Sequence, residues 1–446
     1  MDASNSSRNI METVFQTTND VHPSSDEDMS HQRNCAPRCR DRLREFTQET
    51  TLHGIRFTTD SKSNIYRRLM WVLFVSLGTA GVVITLKDSA IRFIAQPVTT
   101  VVEIHHPNAV PFPAVTVCNY NKYRQSVLAG TWAEDLLYKM YGSPVQGEIG
   151  EVDWSNYTDV ITNLNRTAFE MEAAHQIEDM LIACTWSSET ACGPENFTNV
   201  MTNYGVCYTF NGDVKNGLTV KNRGSMFGLY MVLDIEQHEY MPGVSKGAGV
   251  KIMTHTQTDV PLVNEVSMSF GPGMDSTIAL RLHQTKLLRC TNQPLQYFDV
   301  YSRANCEMES FTLAATKSCT CREPYMPEES ELSCESACQE VIYDSTISYG
   351  SYPSLQILKK IQLMRNITEA EIRENYLAIS VFIEDLTVLS TEEEYSYTYD
   401  AFLGDIGGQF GLCLGASLLT LLEFFDFLMM SLCGACRRWY NRSRKQ

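Results

Sequence analysis

The chain has 446 residues, 43% of them hydrophobic, and a formal net charge of −17. So acidic a balance excludes a nucleic-acid partner, which needs a basic surface. No Gly-rich phosphate loop, HExxH pair or nucleophile elbow occurs, so nothing in the sequence points to an enzyme, a cofactor or a metal.

Residues 1–45 are polar and Ser/Asn/Asp-rich before turning basic (RNCAPRCRDRLR), the pattern of a disordered tail. Cys35 and Cys39 within it read as two reduced thiols. Leu69 to Leu86 then forms an 18-residue uncharged run flanked by Arg67, Arg68 and Lys87. It lies too far from Met1 for a signal peptide and is long enough to span a bilayer. A second uncharged run, Ile406 to Leu422, covers 17 residues between Asp405 and Glu423. At ~1.5 Å per residue it reaches roughly 26 Å, close to the hydrocarbon thickness. Two transmembrane helices are predicted, over 66–88 and 401–433. Basic residues precede the first (Arg56, Lys62, Arg67, Arg68) and follow the second (Arg437, Arg438, Arg442, Arg444, Lys445). Both termini are therefore expected in the cytoplasm, with 89–400 outside a plasma membrane.

The outer segment holds ten of the 15 cysteines: Cys118, Cys184, Cys192, Cys207, Cys290, Cys306, Cys319, Cys321, Cys334 and Cys338. An even number in an oxidising compartment predicts disulfides, with the pairing left open by spacing. Zinc at Cys319-x-Cys321 with Cys334-x3-Cys338 is the rival, disfavoured because no histidine joins the cluster. Four glycosylation sequons, at Asn156, Asn165, Asn196 and Asn366, fall in the same segment. Residues 90–400 carry 20 Lys/Arg and 39 Asp/Glu, net −19, which either attracts cations or merely keeps the domain soluble. His105-His106 reads as ordinary surface in a β-rich stretch.

In chain order, VTTVVEI from Val98 and AVTVCNY alternate like strands. Residues 131–183 carry apolar residues at helical spacing: Trp132, Leu136, Leu137, Met140, then Met171, Ile177, Met180 and Leu181. From Gly205 to Leu287 strands predominate (CYTF, LYMVLDI, VKIMTH, EVSMSF, TIALRL). A Cys-rich region, Cys290 to Cys338, precedes a helical SLQILKKIQLM and a strand, YLAISVFIEDLTVLS.

The second membrane run carries the functional signal. Glycines at 404, 408, 411 and 415 recur in steps of four, three and four, which puts them on one helical face. Such a face suits close helix approach in lipid. Glu423 and Asp426 are three apart, and neither run offers a Lys or Arg to pair with them. A carboxylate at mid-membrane costs about 2.5–3.5 kcal/mol unless it faces water or a partner. Two helices cannot enclose a pore alone, but a ring of subunits can, and rings of carboxylates favour cations. Gly415-Ala416-Ser417 is then the expected narrow point.

LGDIGGQFGLCLGAS (403–417) resembles the second-helix signature of the degenerin/epithelial sodium channel family. TLHGI (51–55) resembles its His-Gly motif, FPAVTVCN (112–119) and GVCYTFN (205–211) its ectodomain, and DIEQHEYMP (234–242) the acid-sensing branch. The resemblance covers roughly residues 50–435. It implies an α+β membrane protein with two transmembrane helices and a large disulfide-rich β-core ectodomain of palm, finger and thumb type. It implies a homo- or hetero-trimer with a sodium-selective, amiloride-blocked pore. Site by site it implies Gly415, Ala416 and Ser417 as the selectivity sequence and Gly404, beside Asp405, as the degenerin gating position. Glu423 and Asp426 become inner pore carboxylates, and His53 and Gly54 a cytoplasmic re-entrant loop. The implied disulfides are Cys118–Cys207, Cys184–Cys192, Cys290–Cys338 and Cys306–Cys334.

Three departures bear on gating. The family's His pair above the first helix is replaced by Gln96-Pro97, and Leu287-Leu288-Arg289 stands where Pro-Trp-Gly is usual. The chain between Cys321 and Cys334 is short, so Glu239 keeps no thumb carboxylates to face, and a strained Cys319–Cys321 bond is expected. The expected function is a ligand-gated sodium channel subunit, its extracellular ligand a proton or a peptide. The alternatives are a non-conducting modulatory subunit and a two-pass adhesion or structural protein.

Overall fold

The computed structural model describes residues 39–60, 62–141, 152–188, 190–241, 245–319, 323–326 and 334–443. Most of the tail 1–45 and Cys35, Cys321 and the short loop before Cys334 thus lie outside the described residues. The chain divides into two compact units, one formed by Met1–Ala95 with Thr398–Gln446, the other by Gln96–Tyr397.

The larger unit is built on two sheets. The first orders its strands Gln339–Ser351, Met274–Lys286, Tyr376–Tyr395, Leu229–Asp234, Leu181–Trp186 and Thr190–Ala191, and Val98–His105 also pairs with Tyr376–Tyr395. Met274–Lys286 runs parallel to Tyr376–Tyr395 and the other pairs are antiparallel. The second sheet orders Met268–Phe270, Val250–His255, Ala114–Asn119, Gly205–Phe210 and Phe197–Thr202. In Met274–Lys286 the buried Ile278, Leu280 and Leu282 recur at the two-residue period of a strand with one buried face. Ala114–Asn119 is buried along its whole length, so its two faces both pack. One core unites these strands, with Phe112, Val117, Phe210, Leu233, Ile252 and Ile379 among its members.

Four disulfides tie this unit: Cys118–Cys207, Cys184–Cys192, Cys290–Cys338 and Cys306–Cys334. The first closes the longest loop, 89 residues, and joins two neighbouring central strands.

Several elements differ from the sequence reading. The helical stretch after 131 stops at Met180, because Leu181–Trp186 pairs with Leu229–Asp234. The Cys-rich region contains a 17-residue helix, Arg303–Cys319. EVSMSF is not one strand: a helical turn, Val263–Val266, comes before Met268–Phe270. The basic end of the tail is ordered as a helix, Cys39–Glu49.

In the smaller unit the first span is one unbroken helix, Ile65–Ala95, 31 residues long. The second is not one helix: Tyr399–Leu414 and Leu418–Met430 meet at 82° across Gly415, Ala416 and Ser417.

Candidate functional site

The break is written into the sequence as two adjoining caps. Gly415 ends Tyr399–Leu414 in the left-handed conformation (φ 62°), where glycine carries no steric penalty. Its N–H donates to Gly411 O at 3.0 Å, and Ala416 N–H donates to Phe410 O at 3.1 Å. Gly415 thereby leaves the helical face that its spacing suggested. Ser417 then starts the next helix. Thr420 N–H donates to Ser417 Oγ at 3.4 Å, and Ser417 N–H donates to Thr420 Oγ1 at 3.1 Å. This reciprocal pair satisfies two of the donors a helix start leaves open.

The segment before the first span packs against this break. His53 Nδ1 lies 3.1 Å from Gly415 O; a carbonyl only accepts, so Nδ1 carries the proton. A Cβ on Gly415 would collide with the His53 ring. Gly54 sits with φ +88°, and a Cβ there would meet Val75 and Trp71. Phe57 stacks on Trp71 at 4.8 Å, and Phe46 stacks on Phe427 at 4.5 Å. The segment is therefore pinned at both ends by ring contacts.

Glu423 has partners despite the lack of a basic residue. Its Oε2 accepts from Thr51 N–H at 3.0 Å, Thr51 Oγ1 at 3.2 Å and Thr50 Oγ1 at 3.3 Å. Asp426 is exposed. Asp405 Oδ2 accepts from Ser89 Oγ at 3.2 Å. Gly404, Gly407 and Gly408 are exposed, and an added Cβ on any of them meets nothing within 4 Å. The close helix approach uses a different glycine: a Cβ on Gly78 would lie 2.8 Å from Cys413 O. The composition of the runs gave no sign of Thr50, Thr51 or Thr420. The Ser417-x-x-Thr420 spacing after a glycine was the available signal.

In the larger unit the quoted motifs meet one another. Asn211 Nδ2 donates to Phe112 O at 2.8 Å and Pro113 O at 3.1 Å. Asn119 Nδ2 donates to Ile235 O at 2.9 Å, and Tyr240 OH donates to Asn119 Oδ1 at 2.7 Å. Glu239 is committed to a local bond, its Oε2 accepting from Ser126 N–H at 2.8 Å. Partial burial pushes its pKa up, but the Ser126 bonds outweigh this and hold the carboxyl below its usual range. Arg166 bridges Glu170, at 3.0 Å, and Glu323. The sequon residues Asn156, Asn165, Asn196 and Asn366 are all exposed. Among the described residues no group of three or more His, Cys, Asp or Glu side chains could hold a metal.

A membrane protein with two spans, the second broken, and a disulfide-tied β domain between them is the class these features define. Residues 46–427 match the family described as Amiloride-sensitive sodium channel. Acid-sensing ion channel 2 of Rattus norvegicus is 31% identical over 443 residues, covering 86% of this chain and 85% of that protein. Acid-sensing ion channel 1C of Danio rerio is 30% identical, covering 86% and 83%. Acid-sensing ion channel 4 of Rattus norvegicus is 29% identical, covering 86% and 79%. A cryo-EM structure of a proton-activated chloride channel superimposes only at TM-score 0.35 with 7% identity, covering 82% of this chain and 99% of that one, and supports nothing further. The chain belongs to the degenerin/epithelial sodium channel family. It is an ion channel subunit rather than an enzyme, and membership implies cation conduction and trimeric assembly.

Proposed function

We propose that the chain is a subunit of a sodium-selective, amiloride-blocked channel of the plasma membrane, with both termini cytoplasmic and a gate opened by an extracellular ligand. The observation that carries this is the break at Gly415–Ser417, with His53 against the Gly415 carbonyl. A broken span brings backbone carbonyls to the point where small side chains leave room for an ion. Gly415, Ala416 and Ser417 form the selectivity segment, Glu423 and Asp426 supply negative charge beyond it, and Gly404 with Asp405 lies at the gate. Gly404 faces open space within one chain, so a large side chain there acts on neighbouring subunits. The exposed sequons carry glycans.

The relatives are named as acid-sensing, but this chain responds weakly to acid between pH 7.4 and about pH 6. Glu239, its carboxyl held below the usual range by Ser126, is ionised throughout that interval. Whole-cell recording from cells expressing the chain alone tests the reading. Gly404→Phe is expected to give a standing inward sodium current that amiloride blocks, and the native chain little current on stepping to pH 6.5. A silent but surface-expressed Gly404→Phe variant would count against Gly404 as the gate position. A large, fast acid-evoked current would overturn the gating assignment.

A further inference from the structure

Thr420 is buried, with 8% of its surface exposed, and does more than cap a helix. Its Oγ1 accepts from Ser417 N–H at 3.1 Å and lies 3.0 Å from Thr51 Oγ1. Thr51 Oγ1 in turn lies 3.2 Å from Glu423 Oε2. The direction of this chain is fixed by its ends. An ionised carboxylate only accepts and a backbone N–H only donates. Thr51 must therefore give its hydroxyl proton to Glu423, which leaves its oxygen free to accept from Thr420. Thr420 gives its own proton to Thr51 and accepts from Ser417. The hydroxyl protons of Thr51 and Thr420 are then both used, and Ser417 Oγ, 3.3 Å from Thr420 Oγ1, can only donate to it. The return path closes at the other end, where His53, two residues beyond Thr51, donates to Gly415 O.

We propose that Thr420 is a positioning residue for ion selectivity: its hydroxyl locks the Gly415–Ser417 turn to the segment Thr51–His53, with Glu423 setting the direction of the bonds. This rests on Gly415–Ser417 being the selectivity segment. Threonine supplies what the position needs, a hydroxyl that donates and accepts at once. Valine has nearly the same shape and neither function, so it leaves Ser417 N–H without its acceptor and Thr51 Oγ1 without the proton Thr420 donates. Serine keeps the hydroxyl and loses only a methyl group.

Two measurements on the full chain test this. In the first, Thr51→Cys and Thr420→Cys are combined in a chain carrying a protease site in the exposed turn at Lys215, which no native disulfide spans. After oxidation and cleavage the two fragments are expected to stay joined without reductant in the double variant and to separate in each single variant. Separation in the double variant overturns the proposal whether or not the channel conducts. In the second, reversal potentials of the amiloride-blocked current are compared. Thr420→Val is expected to lower the sodium-to-potassium permeability ratio about three- to tenfold, the scale of one lost hydrogen bond. Thr420→Ser is expected to restore it. An unchanged ratio in Thr420→Val, while substitution of Ser417 shifts the ratio, overturns the role of Thr420 and leaves the selectivity segment standing. If the Ser417 substitutions also leave the ratio unchanged, the selectivity segment itself is misplaced.

Discussion

The two spans both contain glycine pairs, yet only one breaks. Gly78 and Gly81 lie within a continuous helix, whereas Gly415 ends one. Glycine weakens a helix by about 1 kcal/mol relative to alanine, too little to break it. The difference lies in the residues on the C-terminal side of each glycine. After Gly415 come Ser417 and Thr420, a helix start placed two residues after a helix stop, so both loose ends are satisfied at once. After Gly81 stand Val82 and Val83, which offer no cap. A break inside a membrane is tolerated only where freed backbone groups find partners, and here the caps and His53 supply them.

The comparison can be broken most directly at the stop signal. Gly415→Ala forces a side chain into the left-handed region, at about 1 kcal/mol, and into the His53 ring as well. Loss of current and reduced surface expression are expected. Gly81→Ala, with nothing within 4 Å of the added Cβ, should match the native chain in both measurements.

Hydropathy alone does not mark that break, for a physical reason. Hydropathy reads straight through Gly-Ala-Ser because none of the three is charged, so the caps were invisible to a search for apolar length. Elsewhere alternation served well: Ala114–Asn119, Leu229–Asp234, Val250–His255 and Met274–Lys286 lie where apolar and polar residues alternate or β-branched residues cluster. Gln339–Ser351 was missed because its polar residues and Gly350 dilute the pattern of a strand with an open face. The helix Arg303–Cys319 was missed because its buried face is largely polar, with Asn305, Glu309 and Thr312 beside Cys306 and Met308, so no apolar stripe marks its period. For the site, small residues and carboxylates could be picked out, but their hydroxyl partners come from a segment more than 350 positions away.

A next test sharpens the contrast within the first span. Gly78→Ala places a methyl group 2.8 Å from Cys413 O, so the helices must separate. A cost of about 1–3 kcal/mol is expected, read as a fall in thermal stability in detergent that Gly81→Ala does not share.

Ser417→Ala probes the start signal alone. Losing a serine cap costs about 1 kcal/mol. The break should survive, since Gly415 still ends the preceding helix, but the permeability ratio should shift.

The smallest effect concerns acid, in the region remote in sequence from both spans. Burial pushes the His255 pKa below its usual value, and its ring is bonded to Thr116 Oγ1 and Thr256 O. A histidine whose folded pKa is depressed stabilises the fold above its unfolded pKa, near 6.5. That contribution shrinks as pH falls below this value, because the unfolded chain then takes up the proton first. Unfolding of the detergent-solubilised chain should be easier at pH 5.5 than at 7.4, by no more than about 1.4 kcal/mol per pH unit from this group. His255→Gln should flatten that slope, and an unaltered slope would exclude His255 as its source.

The strand Gln339–Ser351 closes one side of the larger sheet, with Ile342, Ile347 and Tyr349 exposed along it. Among the described residues, these thirteen pair with a strand on one side only. Such an edge is a template for any extended chain that meets it, blunted here by Glu340 and Asp344. An ectodomain produced on its own would carry that template bare. Sticking between copies, rather than loss of the fold, is the failure to guard against, and added charge along that edge is the remedy the geometry suggests.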